Sequence, residues 1–167
     1  MIVAKITYTK ENRTGCCPIP DVKAWDNSQI TWKNKRFIKD NTINLFHIPL
    51  NMGQMMKRAL TKIEKSNASV PAENFIMLSF DPSPWKTENY LAVKKRVRNA
   101  QNIRLTGTFL TKVFEGPYKN AGKWYQEMQN YTESKGTPAK KIYFFYTTCP
   151  KCAKVYSKNY VVAFAQI

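Results

Sequence analysis

No stretch of this sequence approaches the roughly 20 consecutive apolar residues that a membrane-crossing helix requires, so a membrane protein is not expected. Residues 1–10 also lack the unbroken apolar core of a secretory signal, because apolar and polar residues alternate there and Lys5 and Lys10 are among them. A cytoplasmic protein is the expectation. Without a secretory signal, the four cysteines read as thiols or metal ligands rather than as a disulfide framework. Acidic residues are scarce, 11 against 27 Lys and Arg, which gives a formal charge of +16. That balance favours anionic partners in general. The basic residues are spread, however, with local runs only at Lys33, Lys35, Arg36 and at Lys94, Lys95, Arg96, Arg98. Neither run carries a helix-turn-helix, zinc-finger or RNP signature, so a solvated basic surface is favoured over a nucleic-acid partner.

What is present suffices for one compact domain: 167 residues, 43% of them hydrophobic and 13% aromatic. The most informative pattern is an internal repeat. Leu45-Phe46-His47-Ile48-Pro49 aligns with Val113-Phe114-Glu115-Gly116-Pro117, and Pro49 and Pro117 lie 68 residues apart. The same offset places Phe75-Ile76-Met77-Leu78 on Tyr143-Phe144-Phe145-Tyr146 and Asp81-Pro82 on Cys149-Pro150. Between these strand-like runs each half carries a helical pattern. Met52, Met55, Met56, Ala59, Leu60 and Ile63 share one helical face behind Asn51 as the candidate cap, and Ala121, Trp124, Tyr125 and Met128 repeat that series behind Asn120, with Gly136 as the stop.

Each half therefore reads as strand, helix, strand, turn, strand. The predicted fold class is α+β: duplicated strand-helix-strand-strand units forming one mainly antiparallel sheet with two helices on one face. Within a single domain of residues 1–167, the first repeat covers 36–98 and the second 103–167. Residues 1–35 form an N-terminal extension with a strand expected at 2–9, and Trp25 and Trp32 are expected to cover part of a cleft between the repeats.

The second half opens with Phe114-Glu115-Gly116-Pro117-Tyr118-Lys119-Asn120. A duplicated unit with this strand-ending Gly-Pro-Tyr turn resembles the GyrI-like small-molecule-binding domains. The resemblance implies an aromatic-lined ligand cleft between the halves, often with a buried carboxylate that meets cationic ligands. Some stand-alone members are implicated as hydrolases of reactive small molecules. The last strand, residues 159–167, holds no acidic residue, so a ligand-reading acid from that strand is missing here.

The repeat puts the single histidine, His47, at the position equivalent to Glu115, and a His and Glu pair facing one cleft would form an acid and base set. The ligand-binding candidates are Glu115, His47, Trp124, Tyr118 and Trp85, since flat, partly polar rings suit an aromatic or heterocyclic ligand. The catalytic candidates are Glu115 as base with Tyr118 or Tyr125 assisting. Solvent-facing and core roles for the same residues compete with both readings.

Cys149 and Cys152 stand at C-x-x-C spacing, expected in a hairpin turn between two strands, where one tight turn presents two thiolates to one ion. Cys16 and Cys17 could complete a set of four candidate metal ligands, with zinc the metal considered, although adjacent residues seldom both bind one zinc in a simple site. Redox chemistry and plain structural thiols stay open beside it, a thioredoxin-like role being disfavoured by the expected hairpin. The leading reading is a stand-alone protein that binds a small aromatic or cationic molecule. The alternatives are a hydrolase or detoxifying enzyme acting on a small aromatic or electrophilic compound, and a metal- or thiol-sensing protein.

Overall fold

The computed structural model describes residues 8–167. The strand expected at residues 2–9 falls almost wholly outside the described residues; Tyr8, which is described, forms an isolated bridge to Pro20. In chain order the elements are α1 (Val22–Trp25), β1 (Ser28–Leu45), β2 (Ile48–Pro49), α2 (Met52–Lys65), β3 (Met77–Ser83), β4 (Lys86–Ala92), β5 (Gln101–Glu115), α3 (Ala121–Ser134), β6 (Lys141–Tyr146), α4 (Pro150–Tyr156) and β7 (Tyr160–Gln166). The protein is α+β with a mainly antiparallel sheet. The chain divides into two compact units: Trp32–Thr106, and the residues up to Thr31 together with Gly107–Ile167.

In the unit Trp32–Thr106, β1 pairs antiparallel with β2 and with β4, and β4 with β3. Its helix α2 buries Met55, Ala59 and Ile63, the inner part of the face read from the 3.6-residue period, while Leu60 at the edge of that face is exposed. These side chains pack with Ile38, Leu91, Val93 and Val97 into one core. Burying a side chain of this size contributes about 1.5–3 kcal/mol relative to leaving it in water, so the helix is held by packing more than by its ends. Asn51 occupies the cap position but its Oδ1 accepts from the Ile43 N–H at 2.9 Å, which ties the helix start to β1 instead of capping the helix.

In the other unit β7 pairs antiparallel with β5 and with β6. Helix α3 covers one face, where Trp124 and Met128 pack on Leu110, Phe114, Ile142, Val161, Ala163 and Ala165. Alternation along β7 sends Phe164 the other way, onto Trp25 at 5.6 Å between ring centres. The short helix α1 is fastened there by Thr111 Oγ1, which donates to the Trp25 carbonyl at 2.7 Å, and by the Val113 N–H, which donates to Asp26 at 3.0 Å. Gly136, at φ +69, ends α3 as expected from its freedom to adopt a left-handed conformation.

Two expectations are corrected. Trp25 and Trp32 are core residues, 4% and 7% exposed, rather than cleft covers; Trp32 packs beside Phe37 at 5.8 Å. Cys149-Pro150-Lys151-Cys152 is not a hairpin turn, since Cys149 is the N-cap of α4 and Pro150 its first helical residue. Proline there gives up no hydrogen bond and its fixed φ suits the helix, so a residue read as a turn signal starts a helix.

Candidate functional site

Two constellations lie in the unit that carries α3 and α4. The first is the turn from β5 into α3. Glu115 ends β5 and is exposed, opposite Tyr160 in the ladder. Its charge, after the Tyr160 hydroxyl, helps hold the Lys158 ammonium above its ordinary pKa. Gly116 follows at φ +142, where a Cβ would stand 3.2 Å from Asn120 Nδ2 and 3.5 Å from Trp124 Cζ2, so glycine is what lets the turn close on the helix. The turn is clamped to the start of β7: the Gly116 N–H donates to the Asn159 carbonyl at 3.1 Å, and Asn159 Nδ2 donates to the Gly116 carbonyl at 2.8 Å. Asn159 Oδ1 is buried with no hydrogen-bond partner.

Tyr118 is partly exposed, and its hydroxyl donates to the Thr148 carbonyl at 2.6 Å. Burial first, then the charge of Cys149 and Cys17, pushes this phenol above its usual pKa. Its proton is thus committed to Thr148. Its ring meets Tyr146 edge-on at 5.6 Å. Trp124, by contrast, is 4% exposed and stacked on Phe114 at 5.8 Å, so it serves the core, whereas Tyr125 on the same helix is 41% exposed.

The second constellation is the cysteines. Cys16, Cys17, Cys149 and Cys152 are all free thiols, and their Sγ atoms lie within 4.8 Å of one another. The neighbours Cys16 and Cys17 place their sulfurs 3.6 Å apart. Thr14 organises the approach: its Oγ1 accepts the N–H groups of Cys16 at 3.3 Å and Cys17 at 3.4 Å, and takes the Cys152 thiol at 3.3 Å. Tyr156, on α4, donates to the Cys17 carbonyl at 2.8 Å, and Arg13 sits over its ring at 5.4 Å. A Thr14 hydroxyl that turns to donate to the thiolate holds Cys152 down to about 7, while burial pushes Cys17 up. Cys16 is also raised, since burial and the other sulfurs outweigh the lowering hydrogen bond from Cys17. Four soft donors this close could hold a metal ion. Thr14, Tyr156 and Arg13 carried no sequence signal; only the C-x-x-C spacing did.

In the unit Trp32–Thr106 the structure places His47 and Trp85 on neighbouring turns. Phe46 and His47 form the two-residue turn between β1 and β2, both at positive φ, 46° and 68°. The His47 N–H donates to the Pro84 carbonyl at 2.8 Å, and Phe46 packs on the exposed Trp85 at 4.9 Å. His47 Nδ1 lies 2.8 Å from Asp81, behind which Thr87 and Asn44 continue the hydrogen-bonded chain. His47 thus has a carboxylate partner within its own unit, one that the repeat did not suggest.

The model of the bacterial hydrolase family matches residues 7–167. The chain belongs to that family. This bacterial hydrolase family member shares its fold with SAV2435, in its structure bound to tetraphenylphosphonium, at a TM-score of 0.50 and 10% identity over 83% of this chain and 92% of that one. It also shares it with a hydrolase encoded by lin2189 from Listeria innocua, at a TM-score of 0.53 and 13% identity over 86% of this chain and 93% of the other. No curated protein matches the family member in sequence.

Proposed function

We propose that this protein binds a small aromatic or cationic molecule at the turn from β5 into α3, and that its four clustered cysteines hold a zinc ion. The small-molecule reading is carried by the turn: an exposed carboxylate at Glu115 and half-exposed rings at Tyr118 and Tyr125 occur on one clamped segment and the helix it opens. A cation gains from the carboxylate and from ring faces. A fold neighbour solved with an aromatic cation agrees with this reading, as does the GyrI-like resemblance of the same turn. Titration of the protein with tetraphenylphosphonium and with a neutral aromatic of similar size tests it.

Hydrolysis of an aromatic or electrophilic compound, with Glu115 as base and Tyr118 or Tyr125 assisting, draws on the family's name. The commitment of the Tyr118 proton to Thr148 leaves Tyr125 the freer partner for such a role. The zinc reading rests on a separate observation, the mutual approach of four sulfurs, and zinc is the metal that four thiolates at this spacing suit.

A further inference from the structure

We infer that the cysteine cluster is a closed, structural zinc site that fastens the segment before α1 to α4 and, through Thr148, holds the Tyr118 turn in place. The inference rests on the zinc reading above and assigns the ion its work. Tetrahedral zinc with sulfur ligands at about 2.3 Å sets its sulfurs about 3.8 Å apart. The observed approach, 3.6 Å for Cys16 and Cys17 and at most 4.8 Å for every pair, is close to that spacing. It is too tight for an iron–sulfur cluster, whose cysteine sulfurs are held apart by several irons and bridging sulfides. Four protein sulfurs fill the tetrahedron, leaving no position for water or substrate, which is the arrangement of a structural rather than a catalytic zinc.

The surroundings suit the charge that results. Zinc with four thiolates carries two negative charges, and Arg13 and Lys151 line the same shallow cavity of about 330 Å³ as Cys16, Cys149 and Cys152. The Cys149 N–H points to Cys17 Sγ at 3.5 Å, and Thr14, once Cys152 is a thiolate, turns its hydroxyl to donate to that sulfur. Donors of this kind orient metal-bound thiolates.

The segment also has reason to need an ion. Between Tyr8 and Pro20 the chain has an isolated bridge and a few turn hydrogen bonds but no strand or helix of its own, and it meets α4 through Tyr156, which donates to the Cys17 carbonyl. Two of the four ligands come from this segment and two from α4, so the ion joins parts of the chain more than 130 residues apart in sequence, as the contact of Cys17 with Cys149 across 132 residues shows. Cys149 directly follows Thr148, whose carbonyl receives the Tyr118 hydroxyl at 2.6 Å. Whatever fixes Cys149 therefore fixes the anchor of the Gly-Pro-Tyr turn.

The test uses the full chain, purified under reducing conditions without a metal-affinity tag. Metal analysis should find one zinc per chain. Cobalt replacing it should show the sulfur-to-metal charge-transfer absorption and the visible bands of a tetrahedral thiolate site, and Cys152→Ser should abolish both. Hydrogen exchange before and after removal of the metal by a chelator then reads the coupling. The Gly116 and Asn120 amides, bonded to Asn159 and Pro117, should exchange at least about tenfold faster without metal, while the amides of α2 stay unchanged. In Tyr118→Phe, zinc should still bind but the effect of its removal on Gly116 and Asn120 should disappear. A chain that carries no zinc and takes up no cobalt overturns the zinc reading and this inference together. A chain that binds zinc yet shows unaltered exchange at Gly116 and Asn120 after its removal overturns the inference and leaves the zinc reading standing.

Discussion

The Tyr118 hydroxyl donates to the Thr148 carbonyl across 2.6 Å, so the turn that opens α3 is tied to the residue that precedes the first cysteine of α4. Thr148 is buried, and its carbonyl would have to lose that partner or find water if the phenol were removed. Tyr118→Phe should therefore lower unfolding stability by about 1–2 kcal/mol, the scale of a lost hydrogen bond to a buried group. Urea denaturation of wild type and variant checks it; equal midpoints would show that the bond contributes nothing.

Two tryptophans chosen for the same role behave differently in the structure. Trp124 is packed in the core against Phe114, while Trp85 is 53% exposed beside Phe46. Trp124→Ala should cost about 3–5 kcal/mol and Trp85→Ala less than about 1 kcal/mol. Thermal and chemical unfolding of the two variants will show whether the assignment is right.

The Phe46-His47 turn joins its strands with two residues at positive φ, where Asn-Gly is the preferred pair. Large side chains held there cost of order 1 kcal/mol each. Replacing Phe46 by Asn together with His47 by Gly should raise stability by about 1 kcal/mol, after loss of the exposed Phe46 contact and the His47 to Asp81 bond is set against the relief. A variant less stable than wild type would mean that those two contacts outweigh the strain.

Arg58 grips Asp40 through two hydrogen bonds of 2.6 and 2.8 Å, which holds the carboxyl below its ordinary pKa. A depressed carboxylate pKa stabilises the fold above the unfolded value of about 3.9 and loses that contribution as pH falls through the folded value. The pair is partly exposed, so about 0.5–1 kcal/mol is the expected size after solvent screening. Asp40→Asn should reduce stability by that amount at pH 7, and the gap from wild type should shrink steadily on acidification below pH 4. A gap that stays constant with pH would place the effect elsewhere than in the charge.

Much of the fold was legible because it follows simple periods. The six-residue stripe from Met52 to Ile63 marked α2, whose inner residues are buried, and Gly136 marked the end of α3. The ladder orders, β1-β4-β3 in one unit and β5-β7-β6 in the other, were not legible, because strand periodicity marks a strand without naming its neighbour. Helix α4 was not legible, since seven residues starting at a proline show too little periodicity to separate a helix from a turn. The tryptophans escaped for another reason: Trp25 and Trp32 precede the repeat, and no pattern in their neighbours says that Phe164 and Phe37 will close over them. In the cysteine cluster, spacing pointed to Cys149 and Cys152, but only folding could bring Cys16 and Cys17 across more than a hundred residues to meet them. His47 was read as the counterpart of Glu115 at one cleft, while the partner it has in the structure, Asp81, lies 34 residues on and had no local signature.

The central claim is that the Glu115 turn binds a small aromatic cation, and calorimetric titration tests it most directly. Wild type should bind tetraphenylphosphonium more tightly than a neutral aromatic of similar size, and Glu115→Gln should weaken the cation alone, by about 1 kcal/mol for an exposed carboxylate, with unfolding stability unchanged. Equal affinity for cation and neutral compound in both proteins, or no binding of either, would contradict the account.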